Sequence, residues 1–294
     1  MPNANVQSVE PEPPEDYKGY RELYLTESEV EYFYSHLTEN SLNLLTNEYA
    51  LLYDADAKVL FDKVCWTGED NRTLTYSTLD SQYFGKTKPL KGDPYQALAM
   101  DSFKNNKITM IKGPAGTGKS WLSLAFLFDR LEKRKIDKII IFCNTVATKD
   151  SAKLGYYPGS REEKLLDSQI GNFLSSKLNG KENVEKLIAD GKLLLLPMSD
   201  IRGYDTSNLR AGVYITEAQN LSIPLMKLAL QRIGEDSICI IDGDHKTQVD
   251  DESYEGNNNG MVRVSEVFRG SEVYGEVELK NVYRSRIASI AEGL

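Results

Sequence analysis

From residue 94 onward, short apolar runs alternate with amphipathic stretches. The runs are "ITMIKG", "KIIIFCN", "KLLLLPM", "GVYIT", "SICIIDGD" and "VYGEVELK"; between them lie segments such as "SWLSLAFLFDRLEKRK" and "IPLMKLALQRIG". That alternation predicts an α/β fold with a mostly parallel sheet flanked by helices. Trp121, Leu124 and Phe128 recur at helical spacing and are expected to face the core. Before residue 90 the rhythm differs. "TESEVEYFYSHL" has a Thr26-x-x-Glu29 capping box and apolar Val30, Phe33 and Leu37, which predicts a short helix. "NEYALLYDADAKVLFDKVCW" predicts two strands joined by a polar turn at Asp54 to Lys58, and "RTLTYSTL" a third. "FGKTKPLKGDP" then supplies a Gly/Pro/Lys linker. Three regions follow: an acidic, proline-rich tail at 1–17, expected to be disordered; a small, mostly-β domain at 18–90; and the α/β domain at 91–294.

The chain has 294 residues, 40% of them hydrophobic, enough for one core with a small second domain. No run approaches the ~18 apolar residues of a membrane span. The N-terminus has neither a basic n-region nor an apolar h-region. Cys65, Cys143 and Cys239 stand far apart, with neither disulfide nor zinc spacing. Reduced thiols in a cytoplasmic protein, away from membranes, are the expectation. Charge becomes informative when divided. Residues 91–294 hold 28 basic and 28 acidic side chains, leaving 7 basic and 16 acidic in the first 90. The net charge of −9 therefore lies wholly in the N-terminal third. The larger domain is neutral and offers no global electrostatic case for nucleic acid, only room for a local groove.

The strongest chemical signal is G-x-x-x-x-G-K-S, spelled out by Gly113, Pro114, Ala115, Gly116, Thr117, Gly118, Lys119 and Ser120. It follows a predicted strand and opens a predicted helix, the context in which backbone N–H groups cradle phosphates. Lys119 is suited to the β- and γ-phosphates of a nucleotide, and the Ser120 hydroxyl to Mg2+. Gln96 lies 17 residues before Gly113. Its amide could pair with the N6 and N7 edge of adenine, or it is an ordinary polar residue at a helix start.

At this point the chain resembles the PhoH family of P-loop ATPases, similar to one RecA-like core of a superfamily-1 helicase. The resemblance rests on "GPAGTGKS", "LGYYPGSREEKL", "MSDIRG", "YITEAQN", "IIDGDHKTQVD" and the stretch from "NNGMVRVSEVF" to "NVYRSRIASIAEGL", in order across ~94–294. The N-terminal "LYLTESEVEYFY…LLTNEYALLYD" looks like the spacer of longer PhoH proteins that carry a PIN nuclease. The ~90 residues here are expected to leave no room for a PIN domain, so RNase activity is not carried over. The resemblance implies ATP binding and hydrolysis with Mg2+, hexamer-like self-association, and a role linked to RNA or single-stranded DNA. Three departures stand out. Thr216 occupies the Walker B aspartate position; the Gly-Asp-x-x-Gln motif is one residue longer, from Gly243 to Gln248; and Asn144-Thr145 replaces an expected Arg-Pro.

Glu217, at the end of the Walker B strand, is assigned as general base, against a solvated strand-end acid. Gln219 and Asn220 are expected to fix local backbone and contact a neighbouring motif. Gln248 is placed as a γ-phosphate sensor by the resemblance. Asp244 reads as a turn-former, the alternative being a ligand, and His245 as an exposed loop residue. Transition-state charge calls for an arginine: Arg202, Arg284 and Arg286 are candidates, in cis or from a neighbour, or else surface ion pairs. Tyr156 and Tyr157 either stack on bases or pack as core. The family usually ends the "SICIID" strand in threonine, where this chain has Asp242. In RecA-like sheets that strand lies between the phosphate-loop strand and "GVYIT". Asp242 and Thr216 thus look exchanged across neighbouring strands ~4.8 Å apart. Asp242 would then supply the missing carboxylate, with the Thr216 hydroxyl as its neutral partner; the alternative is that Asp242 starts a turn. A rival to hydrolysis is a nucleotide-binding assembly module that turns over negligibly.

Overall fold

The computed structural model describes residues 17–143, 165–166, 168–244, 246 and 259–283. The larger sheet has six strands in the order β12-β7-β11-β10-β8-β9. They are β7 (Ile108–Lys112), β8 (Lys138–Cys143), β9 (Leu193–Pro197), β10 (Ala211–Thr216), β11 (Ile238–Gly243) and β12 (Tyr274–Glu278). Every pairing is parallel. All six apolar runs became strands, because each is short and bounded by helical segments; β7, β8, β10 and β11 are also rich in β-branched residues, whereas β9 is a run of leucines.

Helices cover both faces, as a parallel sheet requires. On one side α2 (Pro94–Asn105), α3 (Lys119–Glu132), α4 (Gln169–Lys177) and α5 (Lys181–Ala189) pack over Ile111, Ile141, Tyr214 and Val277. On the other, α6 (Ile223–Leu230) and α7 (Gly260–Phe268) pack over Met110, Ile140, Val213 and Ile241. Leu124 and Phe128 are buried as expected, while Trp121 is half-buried against Phe84 with the Lys177 ammonium over its ring at 4.5 Å.

The N-terminal sheet has the order β1-β2-β3-β4. Helix α1 (Glu27–Ser35) begins at the Thr26 capping box. β2 (Tyr49–Asp54) and β3 (Leu60–Trp66) are antiparallel, as the polar turn predicts. β1 (Tyr20–Leu25), which the pattern did not announce, runs parallel to β2. The expected third strand is split. β4 covers only Asn71–Thr73, and β5 (Leu79–Ser81) pairs separately with β6 (Gly85–Thr87) inside the expected linker. The cause is Asp101 on α2. It is fully buried and accepts bonds from the Arg72 guanidinium at 2.8 and 3.0 Å, from the Thr75 N–H at 2.6 Å and from the Tyr49 hydroxyl at 2.9 Å. These bonds draw the chain off the sheet edge and seat the small sheet on α2. Tyr17, within the segment expected to be disordered, is buried; residues 1–16 of that segment lie outside the described residues.

Candidate functional site

Three strand ends converge where ligands bind in open α/β sheets, at the carboxyl edge. β7 ends at Lys112 and turns through residues 113–118 into α3. Gly113, Gly116 and Gly118 have φ of 135°, 85° and 95°. At Gly113 a Cβ would also sit 2.4 Å from the Leu279 carbonyl oxygen, so only glycine satisfies both conformation and space. The Thr117 hydroxyl donates to the Pro114 carbonyl at 2.9 Å. The Lys119 ammonium curls back over the loop and donates to the carbonyls of Gly113 at 2.6 Å and Pro114 at 3.0 Å.

Gln96 reaches this loop from behind. It is buried; its Oε1 accepts from the Leu90 N–H at 2.9 Å and its Nε2 donates to the Thr117 carbonyl at 3.2 Å. The amide therefore clamps the loop to α2, with one N–H beyond that bond. Tyr283 lies on the same side. Its N–H donates to the Gly116 carbonyl at 2.8 Å and its hydroxyl to Asp93 at 2.7 Å, yet 47% of the residue is exposed. Burial, and after it the Asp93 contact, raises the hydroxyl pKa. In "VYRSR" the arginines are the obvious candidates by residue type, and no spacing in the sequence marks the contact of Tyr283 with the loop.

β11 lies between β7 and β10, as the exchange of Asp242 and Thr216 requires. Asp242 is 2% exposed, and its Oδ2 lies 3.4 Å from the Ser120 hydroxyl. The same Oδ2 accepts from the Tyr214 hydroxyl, and Oδ1 from the Glu217 N–H at 3.3 Å. Burial pushes the Asp242 carboxyl pKa up, opposed by the Lys119 charge and by the bonds from Tyr214, Glu217 and Thr216. Ser120, Asp242 and Thr216 form an all-oxygen donor set with one formal charge. That set fits Mg2+, which is held through one or two protein oxygens while waters and phosphates complete its shell. Among the described residues no group of three His, Cys, Asp or Glu could hold a metal.

Glu217 leaves β10 in the left-handed region, at φ 55°. Its Oε2 accepts from Gln219 Nε2 at 2.6 Å, and Gln219 Oε1 accepts from the Asp244 N–H at 3.2 Å. Gly243 permits this: a Cβ there would lie 2.6 Å from Gln219 Oε1 and from the Met261 sulfur. Gln219 thus joins the end of β11 to Glu217, the neighbouring-motif contact expected of it. Asp244 accepts from the Lys246 N–H at 3.1 Å, in keeping with a turn-former. The loop, the start of α3, Gln169 and Phe173 of α4, and residues 217, 219 and 242–244 line a cleft of about 590 Å³.

Arg202 is exposed on the 3-10 turn Met198–Gly203 that follows the outer strand β9. β9 is four strand steps from β7, ~19 Å at ~4.8 Å per step. Gln248, Arg284, Arg286, His245, Tyr156, Tyr157 and the Asn144-Thr145 pair lie outside the described residues.

Comparison with known proteins agrees with this geometry. Residues 91–292 match the family profile described as PhoH-like protein. "Protein PhoH2" of Bacillus subtilis is 29% identical over 297 residues, covering 95% of this chain and 64% of the relative. "Protein PhoH2" of Thermobispora bispora is 32% identical over 66% of this chain and 44% of the relative. "PhoH-like protein" of Bacillus subtilis is 30% identical over 66% of this chain and 60% of its own length. The chain thus spans less than two thirds of the curated relatives it matches. With a matching profile across the whole six-stranded unit and a phosphate-loop motif at its carboxyl edge, the chain belongs to the PhoH family.

Proposed function

We propose that this chain binds ATP in the cleft at the carboxyl edge of its larger sheet and hydrolyses it with Mg2+. The observation that carries the reading is the Asp242 carboxylate, 3.4 Å from the Ser120 hydroxyl, where a Walker B aspartate on β10 is missing. The loop's backbone N–H groups and Lys119 would hold the β- and γ-phosphates, and Lys119 would exchange its contacts with the Gly113 and Pro114 carbonyls for phosphate oxygens. Ser120 and Asp242 would hold Mg2+, which when bound offsets negative charge on the phosphate oxygens. Glu217 would orient the attacking water and accept its proton, while Gln219 holds the glutamate in place. Gln96 would keep the loop in register, and the exposed face of Tyr283 offers a surface for the adenine ring. Arg202, exposed on the turn after the outer strand β9, would suit an arginine that serves a neighbouring subunit's site. A role linked to RNA or single-stranded DNA is part of the same proposal.

Phosphate release measured with and without RNA and single-stranded DNA, at stated low salt, tests it. Lys119→Ala and Asp242→Ala are each expected to lower turnover by about 10²-fold or more, the scale of losing one transition-state contact. Thr216→Asp combined with Asp242→Thr is expected to restore it. Wild-type turnover equal to that of Lys119→Ala would leave the rival reading, a nucleotide-binding assembly module.

A further inference from the structure

Tyr214 is the residue of this region that the proposed chemistry does not use. It sits in β10, paired with Ile240 of β11, and shares a face of the strand with Gly212 and Thr216. The side chain is fully buried, with its ring in the apolar cluster beneath α3. A phenylalanine would fill that space without a polar atom to satisfy. The hydroxyl is satisfied by carboxylate: it donates to Asp242 Oδ2, and it also meets the side chains of Ser120 and Thr216. Buried tyrosine hydroxyls find partners, and a bond to an ionised oxygen is about twice as strong as a neutral one. A carboxylate with an N–H on Oδ1 and an O–H on Oδ2 has a fixed rotamer. The oxygen so fixed is the one that faces Ser120.

We infer that Tyr214 is the positioning residue for the carboxylate on β11. Its hydroxyl holds Asp242 Oδ2 beside Ser120, so the metal–nucleotide site depends on β10 even though β10 ends in threonine. The inference rests on the reading that Ser120 and Asp242 hold Mg2+. It gives the exchange between strands a third member. Moving the carboxylate one strand sideways needs a group on the vacated strand to aim it, and Tyr214 is that group.

The test uses the full chain with ADP and Mn2+, the free ion being read by electron paramagnetic resonance. In Tyr214→Phe the Mn2+ affinity of the ADP complex is expected to fall about ten-fold, the scale of one hydrogen bond to a charged group. ADP affinity without divalent ion should not change. Tyr49→Phe is the control for lost stability. It removes an equally buried hydroxyl, on β2 of the small sheet, that donates to an aspartate on α2, Asp101 at 2.9 Å. Its Mn2+ affinity should match wild type. Equal Mn2+ affinity in Tyr214→Phe and wild type overturns the inference and leaves the proposed function standing. An equal loss in Tyr49→Phe overturns it too, by showing a general effect of destabilisation. A wild-type ADP complex that takes up no Mn2+ removes both the inference and the reading beneath it.

Discussion

At the end of β10, Glu217 departs from the strand with φ 55°, a conformation that a non-glycine residue adopts at a cost of order 1–3 kcal/mol. Its N–H on Asp242 and its carboxylate on Gln219 hold it there. Glu217→Gln keeps the shape and removes the base. Steady-state kinetics should show kcat lowered by about 10²–10⁴-fold with nucleotide affinity retained. The phosphate-loop part of this candidate site is legible in the chain. The eight-residue loop is contiguous, so spacing alone locates it, and the order that puts β11 between β7 and β10, on which the proposed exchange of Asp242 and Thr216 rests, was expected from the family resemblance. Tyr214 and Tyr283 were not legible. The role of each depends on partners far along the chain, Asp242 in one case and Asp93 with Gly116 in the other, and a hydroxyl's partner leaves no local pattern. Gln96 stands out in the sequence for its amide; its burial and its bonds to Leu90 and Thr117 depend on the fold and are not marked in the chain.

Among the elements, the six parallel strands were the readable part, because apolar runs and helical periods report on burial directly. The small sheet was harder. β1 pairs with β2 in parallel across α1, so no hairpin turn marks it. β4 stops at Thr73 for a reason that resides on another element, the Asp101 carboxylate of α2. That carboxylate pairs with Arg72 at 2.8 Å, and their side chains are 0% and 21% exposed. Removing one partner of a buried pair leaves the other uncompensated, at a cost of about 3–5 kcal/mol. Urea unfolding of Asp101→Ala should show a loss of that size. A change below ~1 kcal/mol would mean that the small sheet is held to α2 by apolar contact alone.

Across the whole molecule, β12 is the seam between the two sheets. The Glu278 N–H donates to the Lys18 carbonyl at 3.0 Å, and Lys112, buried beside Glu276 at 2.5 Å, donates to the Tyr17 carbonyl at 2.5 Å. Glu22 of β1 meets Lys280 and the Tyr95 hydroxyl, each at 2.8 Å. Partial burial works to raise the Glu22 pKa, but the bonds from Lys280 and Tyr95 outweigh it and hold the carboxyl below its ordinary value. A lowered carboxyl pKa favours folding above the ordinary carboxylate range, and that contribution is lost as pH falls through the lowered value. Thermal melts of wild type and Glu22→Gln should therefore differ modestly at neutral pH and converge in acid. Curves that stay parallel into acid would show that the tie is not ionic.

The same seam sets a timetable for synthesis. The Glu22–Lys280 contact joins residues 258 apart. At about 5–20 residues per second a ribosome takes roughly 13–52 s to deliver the second after the first. β7, which carries the phosphate loop, is flanked by β11 and β12, and both emerge later than the loop itself. A loop encoded before the middle of the chain is therefore framed only when its last described strand arrives. Nascent chains arrested before β12 would expose β7 along one edge, where a chaperone or a neighbouring nascent chain could pair with it.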